Sequence, residues 1–260
     1  MTITKDEIKR SDLIYSMLRQ VIIRADFTSM LDIDKLVLLL SEQEWFEGTF
    51  NNYSRLQLVD NGEDNLAERP CKYVRRFDDC NIEPEKNVII DITEESLCMN
   101  IQCDEHYTII NKYLSLFIQT LAFIISNDNY VKLRRLAIRK IDGESFHSGE
   151  DAEKVFEYFD QRITDLDDDA FWQRTYTDNF IYGKRKVKVN YTRNVRISPR
   201  EEERFIFTID IDTYIDSEMI EIPRPSKEEL EDIYFNRLNE SAFELFKRGV
   251  TLEFLTSKLR

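Results

Sequence analysis

The sequence predicts an α+β fold of two pseudo-duplicated β-α-β(n)-α halves, joined into one large curved antiparallel sheet with two long helices packed on one face. Three observations carry this expectation. Leu18-Arg19-Gln20-Val21-Ile22-Ile23-Arg24 is echoed by Leu133-Arg134-Arg135-Leu136-Ala137-Ile138-Arg139, 115 positions later, and repetition at about half the chain length points to an internal repeat. Asn87–Thr93 is echoed by Arg204–Asp210 at an offset of 117. Each half also closes on a long apolar helical pattern that can cover a sheet face. The halves are read as residues 1–129 and 130–260, fused into one unit.

In the first half, Leu13 to Phe27 is rich in β-branched residues and reads as a strand. Asp32 is placed to cap a short helix over Asp34–Gln43, in which Leu36, Val37, Leu39 and Leu40 are apolar. Trp45 to Val59 reads as strand, and Asp60-Asn61-Gly62 as a turn. Cys71–Phe77 and Val88–Cys103 read as further strands; Leu97, Met99 and Ile101 alternate with Cys98, Asn100 and Gln102, the period of a half-buried strand. Tyr107 to Ser126 is helical and apolar nearly all round, so it is expected to be buried on more than one side.

The second half follows the same plan. Val131–Ile141 reads as a strand, and Ser148 with Asp151 opens a helix running to Ile163. Phe171–Tyr182, Arg185–Val195 and Phe205–Tyr214 read as strands. In the last of these, Ile206, Thr208, Asp210 and Asp212 share one face, and Phe205, Phe207, Ile209 and Ile211 the other. Ser226 and Glu229 form a capping box for the final long helix, Lys247-Arg248 suit its negative end, and Gly249 is a natural stop.

Composition narrows the function classes. Of 260 residues, 42% are hydrophobic and 12% aromatic, enough for a substantial core. The net charge of -14 disfavours nucleic acid and anionic membranes as partners, although a local basic groove is compatible with it. The most membrane-like run, Tyr113 to Ser126, is about 14 residues, against the ~20 a spanning helix needs. The polar start, Met1 to Arg10, does not read as a signal peptide. Cys71, Cys80, Cys98 and Cys103 include no CxxC pair and read as reduced thiols of a cytoplasmic protein. There is no GxSxG, HExxH, P-loop or GxGxxG pattern, so no catalytic residue, cofactor or metal is expected.

Candidate site residues are correspondingly few. Lys184-Arg185-Lys186-Val187-Lys188 reads as a basic strand, with Lys184, Lys186 and Lys188 on one face; it is either a solvated outer face or a lysine-guarded edge, or a contact surface for a phosphate-bearing or acidic partner. Arg24 and Arg139 end the two repeated strands, and either pair with carboxylates or face a ligand. Asp91, Asp210 and Asp212 would make an acid- or metal-dependent hydrolase site only by converging within one metal's reach; otherwise Asp210 and Asp212 bridge to same-face cations. The Asp165, Asp167, Asp168 and Asp169 run lacks the spacing of a calcium loop, and neither His106 nor His147 sits in a metal-binding pattern.

Three segments carry a family resemblance: Arg135-Leu136-Ala137-Ile138-Arg139-Lys140-Ile141, Asp210-Ile211-Asp212, and Leu238–Phe246 followed by Thr251-Leu252-Glu253. Here the chain resembles a sporadically distributed bacterial family of about this length whose members are mostly uncharacterised. Lys140 and Asp142 stand where that family usually has Tyr and Asn. The resemblance implies horizontally transferred gene clusters of the kind that include defence systems. The leading expectation is a non-enzymatic bacterial protein that binds a protein partner, encoded nearby or a second copy of itself, as an accessory subunit of a defence-related assembly. The alternative is a nucleic-acid or nucleotide sensor using the sheet face and the 184–188 segment.

Overall fold

Among the described residues, nine strands form one antiparallel sheet in the order β2-β3-β4-β5-β1-β6-β9-β8-β7. The computed structural model describes residues 3–13, 17–28, 32–58, 72–79, 88–103, 108–157, 172–197, 205–220 and 223–259. The strands are β1 Leu18–Phe27, β2 Asn52–Leu58, β3 Lys72–Asp78, β4 Val88–Ile92, β5 Ser96–Gln102, β6 Leu133–Phe146, β7 Trp172–Tyr182, β8 Val187–Ile197 and β9 Phe205–Asp216. The helices are α1 Ile33–Ser41, α2 Glu44–Glu47, α3 Thr108–Asn127, α4 Gly149–Glu153, α5 Lys227–Glu231, α6 Glu240–Gly249 and α7 Leu252–Ser257. This is an α+β fold.

Local signals explain most boundaries. The Asp32 side chain accepts from the Lys35 backbone N–H, and Ser226 and Glu229 close a reciprocal capping box. The 44–50 segment departs from the strand expectation. Its first turn is α2, because Phe46 and Phe50 lie one helical turn apart and bury together, with ring centroids 5.2 Å apart. Val88–Cys103 is two strands: the Thr93 hydroxyl accepts from the Glu95 N–H and the Thr93 N–H donates to the Ser96 carbonyl, turning the chain between β4 and β5. The helix expected to run to Ile163 stops at Glu153, because the chain turns at Lys154 and Phe156 forms an isolated antiparallel bridge with Val250. The Asp60-Asn61-Gly62 turn, residues 158–163, the Asp165–Asp169 run, His106, Cys71 and Cys80 lie outside the described residues.

Between α5 and α6 the helix winds wide, as a π-helix over Asp232–Asn239. Side chains from elsewhere take carbonyls of this stretch. Thr213 Oγ1 donates to Leu238 O, Arg10 to Asn239 O and Arg185 to Asn236 O. The buried Tyr234 hydroxyl donates to Arg24 O on β1, and the Tyr234 ring meets Phe117 of α3 edge-on at 5.4 Å.

Strand alternation sets two faces. Val21, Ile23, Leu97, Met99, Ile138 and Ile211 are fully buried in one cluster with helix residues Leu114, Phe117, Leu238 and Ala242. The intervening residues point the other way and are mostly polar. Gly249 does end α6, but its φ is not positive. It is small because a Cβ there would press into Tyr191 Oη and come within 2.9 Å of Ile209 Cδ1, where the helix end meets β8 and β9.

Candidate functional site

The polar face of the sheet gathers most of the charged candidates. Cross-strand register aligns Arg76, Asp91, Cys98, Arg24, Ala137, Tyr214 and Lys188 as one row from β3 to β8. The next row holds Asn100, Ile22, Arg139, Asp212 and Asn190. Opposite charges are therefore held at strand spacing, ~4.8 Å between neighbouring strands.

Each cation on these rows has a carboxylate beside it. Arg76 grips Asp91 through Nε and Nη2, both at 2.8 Å, and Arg139 grips Asp210 at 2.8 and 2.5 Å. Arg24 Nε donates to Asp26 at 2.6 Å, and Arg135 Nη2 to Asp212 at 2.6 Å while its guanidinium stacks over the Tyr214 ring. Asn190 adds a second donor to Asp212, and Lys188 bonds Asp216. Gln20 donates to Asn100 at 2.8 Å, extending the net with neutral groups. Bidentate hydrogen bonds hold the Arg76 and Arg139 guanidiniums even more firmly protonated than usual. Burial pushes the Asp212 carboxyl up, against the pull of Arg135. Burial pushes the Cys98 thiol up to about 11 despite the nearby Arg24, so it is a poor nucleophile.

Several expectations need correcting. Arg24 and Arg139 do not end their strands; each sits mid-strand, because β1 runs on to Phe27 and β6 to Phe146. The basic segment is not one strand: only Val187 and Lys188 lie in β8. Gly183 to Lys186 form the β7–β8 hairpin turn, and Lys186 has φ 51°, a left-handed conformation that closes such a turn. Its cations are consequently split between two sides. Lys188 lies on the polar face, whereas Lys184 and Arg185 reach α6 and pair with Glu244 at 3.0 and 2.8 Å. Burial raises the Glu244 carboxyl, but hydrogen bonds from Arg185, Tyr182 and Lys184 outweigh it and hold the group at about 2.

Asp91, Asp210 and Asp212 do not converge. Three strands separate β4 from β9, a span of ~19 Å at strand spacing. Among the described residues no group of three acidic, His or Cys side chains is arranged to hold a metal. The second echo also pairs unlike places: β9 lies beside β6, whereas β4 is separated from β1 by β5.

Arg76, Asp26, Arg135 and Asp216 belong to the charged net and were not singled out from sequence. Their signal was period-2 spacing of charges within strands: Arg24-Ala25-Asp26, Arg135 with Arg139, and Asp210, Asp212 and Asp216.

One polar pair lies on the buried face. Lys140 Nζ donates to Asn239 Oδ1 at 2.5 Å, and burial, with Arg10 nearby, drives Lys140 toward its neutral form. Burial raises the Asp142 carboxyl to about 7 against the opposing charges of Lys140 and Arg10, and one of its oxygens has no hydrogen-bond partner. Among the described residues, no helix is long and apolar enough to cross a membrane. No protein-family model matches the chain, and no curated protein matches it.

Proposed function

We propose that this chain is a non-enzymatic binding protein and that a protein partner with a polar, mixed-charge surface docks on the polar face of its sheet. The observation that carries this reading is the pairing of Arg24, Arg76, Arg135, Arg139 and Lys188 with carboxylates on the same face. Pairing cancels the long-range positive field that draws in a polyanion. It leaves guanidinium and carboxylate edges fixed in an alternating pattern, with the Arg24 and Arg139 side chains each 46% exposed. Such a pattern favours a surface of complementary polar groups and selects against mismatched ones. The nucleic-acid reading leaned on a contiguous basic strand, and those cations are divided between two sides of a hairpin.

We infer in addition that residues 1–129 and 130–260 are duplicated halves, each laying its long helix over the same sheet face. The topology supports this: β1 is flanked by β5, the last strand before α3, and β6 by β9, the last strand before the C-terminal helix. The β1–β6 register passes through Ile23 and Ile138, which hold the same place in the two echoing segments. The family resemblance implies a transferred gene cluster, so the partner is taken to be encoded beside this chain and the assembly to be a bacterial defence system.

The test is co-elution on a sizing column with the products of the flanking genes. A complex with one of them is expected. Failure with all of them, or a gel shift of nucleic acid at ~50 mM salt, where phosphate contacts are strongest, overturns the reading.

A further inference from the structure

Among the described residues, β7 is an edge strand of the sheet. Its 11 residues pair with β8 without a register shift, and no described strand pairs with its other side. Natural edges are blunted by charges, lysine above all, by prolines or bulges, or by being short; β7 is 11 residues long with no lysine, proline or bulge, and its charges are one of each sign, Arg174 and Asp178. Thr175 to Ile181 are all exposed, Tyr176 and Phe180 at 38% and Ile181 at 65%. An extended edge of this kind presents backbone donors and acceptors to a further strand.

We propose that β7 pairs antiparallel with β7 of a second copy of this chain, in the register centred on Tyr176. The strand's own charges select both occupant and register. Residues opposite one another in a sheet must share a face, so the two-fold passes through a residue position. Centring on Arg174 or on Asp178 sets like charges face to face, which is unfavourable. Centring on Thr177 places Arg174 against Phe180, and centring on Thr175 places it against Tyr176. The register through Tyr176 sets Arg174 opposite the second copy's Asp178 and Asp178 opposite its Arg174, with Thr175 facing Thr177 and the two Tyr176 residues meeting at the axis. Arg174 already stacks over the Tyr176 ring at 4.9 Å, close to that axis. Asp178 accepts from Arg193 at 3.0 Å through one oxygen, and a carboxylate has room for further donors. This inference concerns the edge alone and stands independently of what docks on the polar face.

The experiment is light scattering behind a sizing column, or sedimentation equilibrium, at about 100 µM chain, where a ~10 µM dimer is mostly associated. Wild type should show the mass of two chains. Arg174→Asp faces acid with acid at two places, Asp178→Arg faces base with base, and each should weaken dimerisation at least ~10-fold. Equimolar mixing of the two variants restores both opposite-charge pairs and should return the two-chain mass. Thermal unfolding of each variant checks that it is folded. A monomeric wild type, a dimer indifferent to Arg174→Asp, or folded variants that fail to associate on mixing each overturn the proposal.

Discussion

Replacing Gly249 by Ala tests how α6 seats on the sheet. In an ordinary helix this change is stabilising, by up to ~1 kcal/mol. Here the new Cβ would press into Tyr191 Oη on β8 and lie 2.9 Å from Ile209 Cδ1 on β9. The Ile209 methyl can rotate away, whereas the tyrosine is 9% exposed in a packed site. Overpacking of this kind costs ~1–3 kcal/mol, so after the helix gain a net loss of about 1–2 kcal/mol is expected. For a chain of this size, that lowers Tm by ~2–8 °C. Tyr191→Phe removes the obstructing oxygen. In the Tyr191→Phe background the same Gly249→Ala change should be neutral to stabilising, a coupling of ~1–2 kcal/mol in a double-mutant cycle. Thermal unfolding followed by circular dichroism reads all four proteins. A higher Tm for Gly249→Ala alone, or equal effects in both backgrounds, would refute the close approach of α6 to β8.

Two further predictions concern stability. The Asp142 carboxyl titrates near 7 when folded and near ~4 when unfolded, so between these values the native state holds a proton that the unfolded chain has lost. The contribution of Asp142 to stability should therefore fall as pH rises from ~4 to ~7, opposite in sign to that of the depressed Lys140; Asp142→Asn should make the slope of urea midpoints across that window more positive, and an unchanged slope would contradict a protonated Asp142 in the native state. Ser226→Ala removes the hydroxyl that accepts from the Glu229 N–H at the start of the C-terminal helix, and should cost ~1 kcal/mol in chemical denaturation, with a loss below ~0.3 kcal/mol contradicting a working cap.

The strands of clean alternation were legible. β5 and β9 place alternate residues on two faces as their spacing requires, and Asp32, Ser148 and Ser226 cap helices where expected, although the helix after Ser148 is a single turn ending at Glu153. Local rules failed where two tendencies competed. Trp45–Phe50 carries aromatics that suit a strand, but the turn-apart burial of Phe46 and Phe50 decides for a helix. The 184–188 segment alternates like a strand, yet Gly183 and the left-handed Lys186 place the hairpin there. Gly249 was read as a stop, while its small size answers a contact with a strand some sixty residues earlier in the chain. The charged net was visible only as isolated residues. That Arg139 meets Asp210, and Arg76 meets Asp91, depends on register between strands, which no local window contains.

The polar face as a docking surface is tested most directly by reversing its central cations in a complex with the flanking-gene partner. Arg24→Glu/Arg139→Glu should weaken that complex at least tenfold by calorimetric titration, about 1.4 kcal/mol, because both exposed guanidiniums would face the partner with the wrong sign. Lys184→Glu, which alters charge on the α6 side of the β7–β8 hairpin, should leave the affinity within a factor of two. Equal affinities for all three proteins, or a loss confined to Lys184→Glu, would contradict the account.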